Sequence, residues 1–417
     1  MTDTALKQRR TGPMVLVGLI ALSLFINYID RGNLATGAVQ ISKDLHLSTT
    51  AYGSLLSAFY LTYTLCQLPG GALADRWGGK LVLGLGALLW SISTLMTAFV
   101  SGFFGLIVLR MLLGMGESVA FSTSSKLIAA NVPARKIGLA NGIIGFGYLV
   151  GPAVGTLVGG KLMAVWDWRP VFILFGALSL LWLLPWSRVR VLDSATDAAS
   201  ADAAPVPLRA ILRQRGLWGA GIGHFAGNWN WYFVLGYLPM YLQNARGFAL
   251  SEMASVVSAA YLVNAVAALF GGWAIDRAIA SGRSASLACK VPMALAHAIG
   301  LFAMLAIPTM PLPVCLAALF AYQIFLGLSS PGYFIIPQIM AGPRAAARWV
   351  GVQNMIGNLP GIIATLFAGI LIDAGGKGGG SYFWAFALAA AINVVGLVGW
   401  LLILPRVEAI DWEQAKA

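Results

Sequence analysis

Twelve stretches of about 20 mainly apolar residues recur along the chain, each long enough to cross the hydrocarbon core of a bilayer as a helix. They centre near residues 24, 60, 90, 117, 148 and 178, and again near 230, 263, 299, 326, 360 and 392. Hydrocarbon offers backbone groups no partners, so a segment that crosses it satisfies them internally, as a helix does. Hydrophobic residues make up 59% of the 417 positions and charged residues only 10%, against roughly 25% charged in a soluble domain. A water-soluble fold has nowhere to hide that much apolar surface, and a disordered chain has too little of it. The expected fold class is an all-α membrane protein with twelve transmembrane helices in two pseudo-symmetric six-helix bundles.

A net charge of +12 raises the question of nucleic acid, but the basic residues sit in short clusters between apolar runs and form no continuous face. They follow the orientation rule for membrane loops instead. With both termini on one side, 19 of the 27 Lys and Arg fall on that side. Lys43, Lys161, Arg169, Arg246 and Lys377 fall opposite, and three lie inside spans. Both termini are therefore expected in the cytoplasm. Lys7, Arg9 and Arg10 precede an apolar run from Met14 to Ile29 with no small-residue cleavage site, which predicts a retained first span. Cys66, Cys289 and Cys315 are scattered in or beside apolar segments and read as packing residues.

The one long polar stretch inside the chain, with Asp193, Asp197 and Asp202, separates two sets of six spans. The expected division is a bundle over 1–187, a cytoplasmic linker over 188–215 and a second bundle over 216–417. The halves repeat: residues 70–76 read GGALADR and residues 271–277 read GGWAIDR, 201 positions apart. Tandem six-helix halves with a mid-membrane site between them are the architecture of an alternating-access transporter. Locally, Gly71 and Gly78 are expected to allow close approach and a tight turn, and Asp75 and Arg76 to pair at a helix end. Asp75, Arg76, Asp276 and Arg277 are assigned to a conformational latch.

Ionised groups in hydrocarbon cost at least ~2.5 kcal/mol each and face a cavity with a partner. Asp30, Arg31, Arg110 and Glu117 are the four at mid-membrane depth, all in the first half. Arg110 and Glu117 are seven residues apart, on one helix face two turns apart. Asp30 and Arg31 are adjacent and point about 100° apart. A workable arrangement sets Asp30 against Arg110 and turns Arg31 to the cavity, with Glu117 within reach of one arginine. A static network tying the first and fourth spans together is the alternative, but buried ion pairs stabilise weakly. An arginine away from water holds a carboxylate through two parallel hydrogen bonds. Burial favours the neutral form of a glutamate and a neighbouring arginine opposes this, so an anion that takes the arginine releases the glutamate to take a proton.

GGALADRWGGK over 70–80 resembles the signature loop of the major facilitator superfamily. NYIDRGN (27–33), LRMLLGMGESVAF (109–121) and AGPRAAARWVGVQNMIGNLPGI (341–362) resemble its anion:cation symporter branch, carriers of sugar acids and other organic anions. The resemblance implies proton-coupled uptake of a small organic anion across a bacterial inner membrane, by a monomer driven by the proton gradient with no cofactor. It implies that Arg31 contacts the substrate carboxylate. It also implies that Asp30 and Glu117 take part in proton coupling, with Arg110 pairing to Asp30. Tyr63 and Asn358 match positions expected to bind polar parts of the substrate.

Weaker candidates for substrate contact are Trp231 in the aromatic run of the seventh span, Ser329, Gln353 and Asn354. Neutral polar groups at membrane depth also join helices. His224 and His297 are read as packing residues. The fifth span carries Gly138, Gly147, Gly151, Pro152 and Gly155, close to a pattern of superfamily exporters and also ordinary close-packing chemistry. An exporter or exchanger of organic anions, lipids or drugs is the competing reading. No catalytic constellation, sizeable soluble domain or nucleotide-binding loop is present, which argues against an enzyme and against direct ATP drive.

Overall fold

The computed structural model describes residues 11–133, 136–192, 206–376 and 382–412, and these form helices and connecting turns without a strand. The first helices are α1 (Pro13–Thr36), α2 (Ala38–Asp44), α3 (Thr49–Trp77), α4 (Gly79–Thr97), α5 (Phe103–Ser118), α6 (Ala120–Asn131), α7 (Ile137–Trp166), α8 (Trp168–Leu181) and α9 (Leu183–Arg188). They are followed by α10 (Leu208–Leu212), α11 (Arg215–Asn244), α12 (Leu250–Ala280), α13 (Ala285–Thr309), α14 (Leu312–Ser329), α15 (Gly332–Ala374) and α16 (Phe383–Leu397). Gly342, at φ 62° and ψ −179°, breaks α15 into two helices.

Ten helices among the described residues are long and apolar enough to cross a membrane. The expected spans near residues 60 and 230 fall on α3 and α11, of 29 and 30 residues. At 1.5 Å per residue both exceed a bilayer core. Neither is among the ten, and both carry polar side chains: Thr62, Thr64 and Gln67 on α3, His224, Asn228 and Asn230 on α11. The central part of the expected linker, 193–205, lies outside the described residues.

The chain groups into two compact units, Met1–Ala199 with Leu242–Ser258, and Ser200–Tyr241 with Ala259–Ala417. In the first, glycines bring helices to backbone contact. A Cβ on Gly147 would lie 2.7 Å from Ala21 O, and one on Gly151 2.8 Å from both Phe25 O and Tyr28 Cβ. One on Gly155 would lie 3.0 Å from Ile29 Cα. Small residues every four positions thus seat α7 directly on α1, which fixes the rotation of the segment carrying Asp30 and Arg31. Gly147, Gly151 and Gly155 of the fifth span are close-packing residues here.

Gly114 of α5 meets Phe59 O and Thr62 Oγ1 of α3, while on its other side Gly116 would place a Cβ 2.8 Å from Trp90 N of α4. Thr62 Oγ1 donates across to Met111 O at 2.8 Å. The repeated glycine motif differs from the expectation in one respect. Close approach belongs to Gly70, whose Cβ would meet Val119 Cγ1 at 2.7 Å, whereas Gly71 has nothing within 4 Å. The first glycine does the same in the repeat, where Gly271 abuts Leu328 O. Gly78, at φ 89°, makes the expected turn after α3. Lys126 Nζ donates to Ala74 O at 2.7 Å, a cation at the negative end of the α3 dipole.

Candidate functional site

The rotation of α1 and the α3–α5 contact bring four charged side chains into the interior of the first unit. Arg31 Nε donates to Glu117 Oε2 at 2.7 Å, with the two side chains 6% and 0% exposed. Tyr28, Phe59 and Tyr63 box the guanidinium, their ring centroids 4.6, 5.3 and 4.4 Å from Cζ. Phe59 and Tyr63, one turn apart on α3, stack at 5.7 Å. Cation–π contacts of this kind gain strength when desolvated.

The pairing is incomplete. Arg31 Nη2 is buried without a hydrogen-bond partner, and the Asn27 amide lies beside the Glu117 carboxyl in the same buried cluster. Such an unmet donor is costly and marks a place where a polar ligand or water completes the set. Glu117 takes only the Nε edge of the guanidinium, so the end-on fork is the edge left to a carboxylate.

The expected arrangement of the other two charges holds only in part. Asp30, 1% exposed, receives a long hydrogen bond from Ser179 Oγ of α8 at 3.4 Å and has the Thr94 hydroxyl of α4 beside its carboxyl. Arg110, 3% exposed, is near enough to act on both Asp30 and Glu117 through space, but the direct ion pair is the one between Arg31 and Glu117. The sequence spacing correctly puts Arg110 and Glu117 on one buried face of α5.

The second unit holds its candidates in a hydrogen-bonded seam between α11 and α15. Tyr232 Oη donates to Asn358 Oδ1 at 2.7 Å, and Asn228 Nδ2 to Gly357 O at 2.7 Å. His224, one turn before Asn228, stacks on Tyr333 at 4.4 Å. Gln353 uses both ends of its amide, donating to Tyr333 O at 2.9 Å and accepting from Trp349 Nε1 at 3.2 Å. It joins helices and keeps no free group. Ser329 donates back to Leu326 O within its own helix, at 2.8 Å. Trp231 lies against Tyr261, ring centroids 5.8 Å apart. Asn354 is half-buried on α15.

Of the latch residues, Arg76, Asp276 and Arg277 are exposed, and the Arg277 guanidinium lies 5.9 Å over the Trp273 ring. The Asp75 side chain lies outside the described residues. Sequence reasoning missed Asn27, Tyr28 and Phe59. Their signal was helical spacing: Asn27 and Tyr28 precede Arg31 by four and three residues, and Phe59 precedes Tyr63 by four.

A family model described as Major Facilitator Superfamily matches residues 20–365. The chain is 29% identical to the "Probable sulfoacetate transporter SauU" of Cupriavidus necator, over 99% of this chain and 98% of that one. It is also 29% identical to the "D-galactonate transporter" of Escherichia coli, over 95% and 97%. A crystal structure described as a bacterial homolog of the human lysosomal transporter Spinster, inward-facing and occupied, matches with a TM-score of 0.81 at 18% identity. That match covers 94% of this chain and 96% of the other, and concerns the fold alone. With the match spanning both units, the chain belongs to the Major Facilitator Superfamily, a family of transporters and not of enzymes.

Proposed function

We propose that this protein takes up a small organic anion, a sugar acid or another carboxylate, together with protons, by alternating access. The observation that carries the reading is the buried Arg31, held on one edge by Glu117 and with Nη2 unmet. An incoming carboxylate takes the open fork of Arg31 and weakens its hold on Glu117. The released glutamate then accepts a proton from the outer side, since a lone carboxylate in a low-dielectric site is costly and the neutral acid is not. Anion and proton enter as a neutral set. Inside, loss of the anion returns Arg31 to Glu117 and expels the proton.

Asp30 and Arg110 serve as the second half of the coupling network, and Tyr63 lines the anion site. Asn358, Trp231 and Asn354 are the candidates for polar and aromatic substrate contact from the second unit, while Gln353 and Ser329, expected there too, are engaged in hydrogen bonds within the protein. The same reading gives twelve spans with α3 and α11 as the two polar ones. It places the division at 1–187, 188–215 and 216–417, Asp75, Arg76, Asp276 and Arg277 as a latch, and a monomer in a bacterial inner membrane with both termini cytoplasmic. The printed names of the galactonate and sulfoacetate relatives support the substrate class.

Uptake into proteoliposomes tests this reading, across a panel of sugar acids, sulfonates, dicarboxylates and aromatic acids, with and without an inward proton gradient. At least one organic anion is expected to accumulate only when the gradient is imposed. Movement of neutral or cationic lipophiles alone would replace this reading with an exporter.

A further inference from the structure

The end of the chain docks where α15 breaks. A helix leaves its last four carbonyls without partners of its own, and the arm of α15 that stops at Gly342 ends in this way. The C-terminal tail takes two of these carbonyls. Ile410 N donates to Met340 O and Trp412 Nε1 to Ala341 O, both at 2.9 Å. The tail is itself tied to α13, where Val407 N donates to Ser286 Oγ and Lys290 Nζ to Leu404 O, both at 2.6 Å. Leu404, Val407 and Trp412 are buried, whereas Arg406, Glu408 and Asp411 are exposed.

Trp412 also reaches the other arm. It shares one buried cluster with Ala341 before the break and with Ala345 and Trp349 after it. Gly342 does not fix the angle between the arms by itself. It sits at φ 62°, a region glycine enters freely, and nothing lies within 4 Å of where a Cβ would stand. The angle is therefore set by what bridges the arms. The second arm carries Asn358, about 24 Å from the break at 1.5 Å per residue. Over that length a swing of about 5° moves the amide by about 2 Å. Such a shift breaks the 2.7 Å bond it accepts from Tyr232.

We propose that Trp412 is a positioning residue, which clamps the two arms of α15 at the angle that keeps Asn358 against Tyr232. Its ring fills the cluster that spans the break, and its Nε1–H holds the end of the first arm. The clamp acts on a candidate anion contact without touching it, so its effect on transport rests on the uptake reading. Its effect on the angle does not.

In full-length protein lacking Cys66, Cys289 and Cys315, spin labels replace Phe334 and Met355, 44% and 51% exposed on the two arms. Pulsed EPR in lipid nanodiscs then reads the distance between them. The parent is expected to give one narrow distribution, and Trp412→Ala a shift or broadening of about 2 Å or more. Trp412→Phe keeps a ring and loses the donor, while Ile410→Pro keeps Trp412 and loses the bond to Met340 O. Both are expected to fall between. Arg406→Ala, on the same tail, should match the parent. In proteoliposomes, Trp412→Ala should raise the KM for anion exchange about fivefold, equivalent to one neutral hydrogen bond, with the maximal rate near that of the parent. In an Asn358→Ala background the same substitution should leave KM unchanged. Distances unaltered by both Trp412→Ala and Ile410→Pro, a KM that stays at the parent value, or an equal rise without Asn358 would overturn the proposal. Failure of every anion to move would strike the uptake reading alone, because the distances decide the clamp.

Discussion

The guanidinium of Arg31 has a carboxylate on one edge and three aromatic rings around its face. Shape matters here as much as charge, because only a planar fork engages Glu117 and a second carboxylate at once. Arg31→Lys keeps the charge and loses the fork, and is expected to raise the KM for anion uptake about ten- to a hundredfold, the equivalent of one or two hydrogen bonds to a charged group. An unchanged KM would place the anion elsewhere. Tyr63 offers Arg31 its ring and, on the proposed reading, the substrate its hydroxyl, and two substitutions separate these roles. Tyr63→Leu removes a desolvated cation–π contact of about 2 kcal/mol and should impair uptake more than Tyr63→Phe. Equal losses in initial-rate measurements would assign the role to the hydroxyl. The buried charges were legible in the sequence because ionised residues stand out in apolar runs. The choice of partner was not: it depends on the rotation of α1, which no spacing within one helix determines.

That rotation is a property of the α1–α7 contact. Gly147, Gly151 and Gly155 leave no room for a Cβ against Ala21, Phe25 and Ile29. Gly151→Leu must push α7 away, at a cost of about 1–3 kcal/mol for overpacking, and move Asp30 and Arg31 with it. Thermal stability and uptake are expected to fall together, whereas Gly142→Ala, with nothing within 4 Å of its new methyl, leaves both near wild type. Parallel behaviour of the two variants in a thermal-shift assay would show the contact to be loose. The glycine spacing was readable as close packing before the structure, but its partner on α1 was not. The seam in the second unit was hidden for a similar reason. Asn228 and Gln353 bond to main-chain carbonyls of Gly357 and Tyr333, which every residue possesses and no sequence marks. The polar character of α3 and α11 was present in the composition but masked by their length.

At the scale of the whole molecule, the uneven distribution of 27 Lys and Arg is expected to set the orientation. In a variant lacking Cys66, Cys289 and Cys315, a cysteine at Lys43 should react with an impermeant maleimide on intact cells. One at Ser281 should react only after the membrane is opened, and the reverse pattern would invert the topology. On the proposed reading the four buried charges draw an anion and a proton to a single unit in which Glu117 answers to whether Arg31 is occupied. The decisive measurement compares gradient-driven accumulation with substrate exchange in proteoliposomes for the wild type and Glu117→Gln. An amide still accepts from Arg31 but carries no titrating proton. The account predicts that Glu117→Gln loses accumulation by about tenfold or more and keeps exchange near the wild-type rate; accumulation that survives the substitution, or exchange that vanishes with it, contradicts the account.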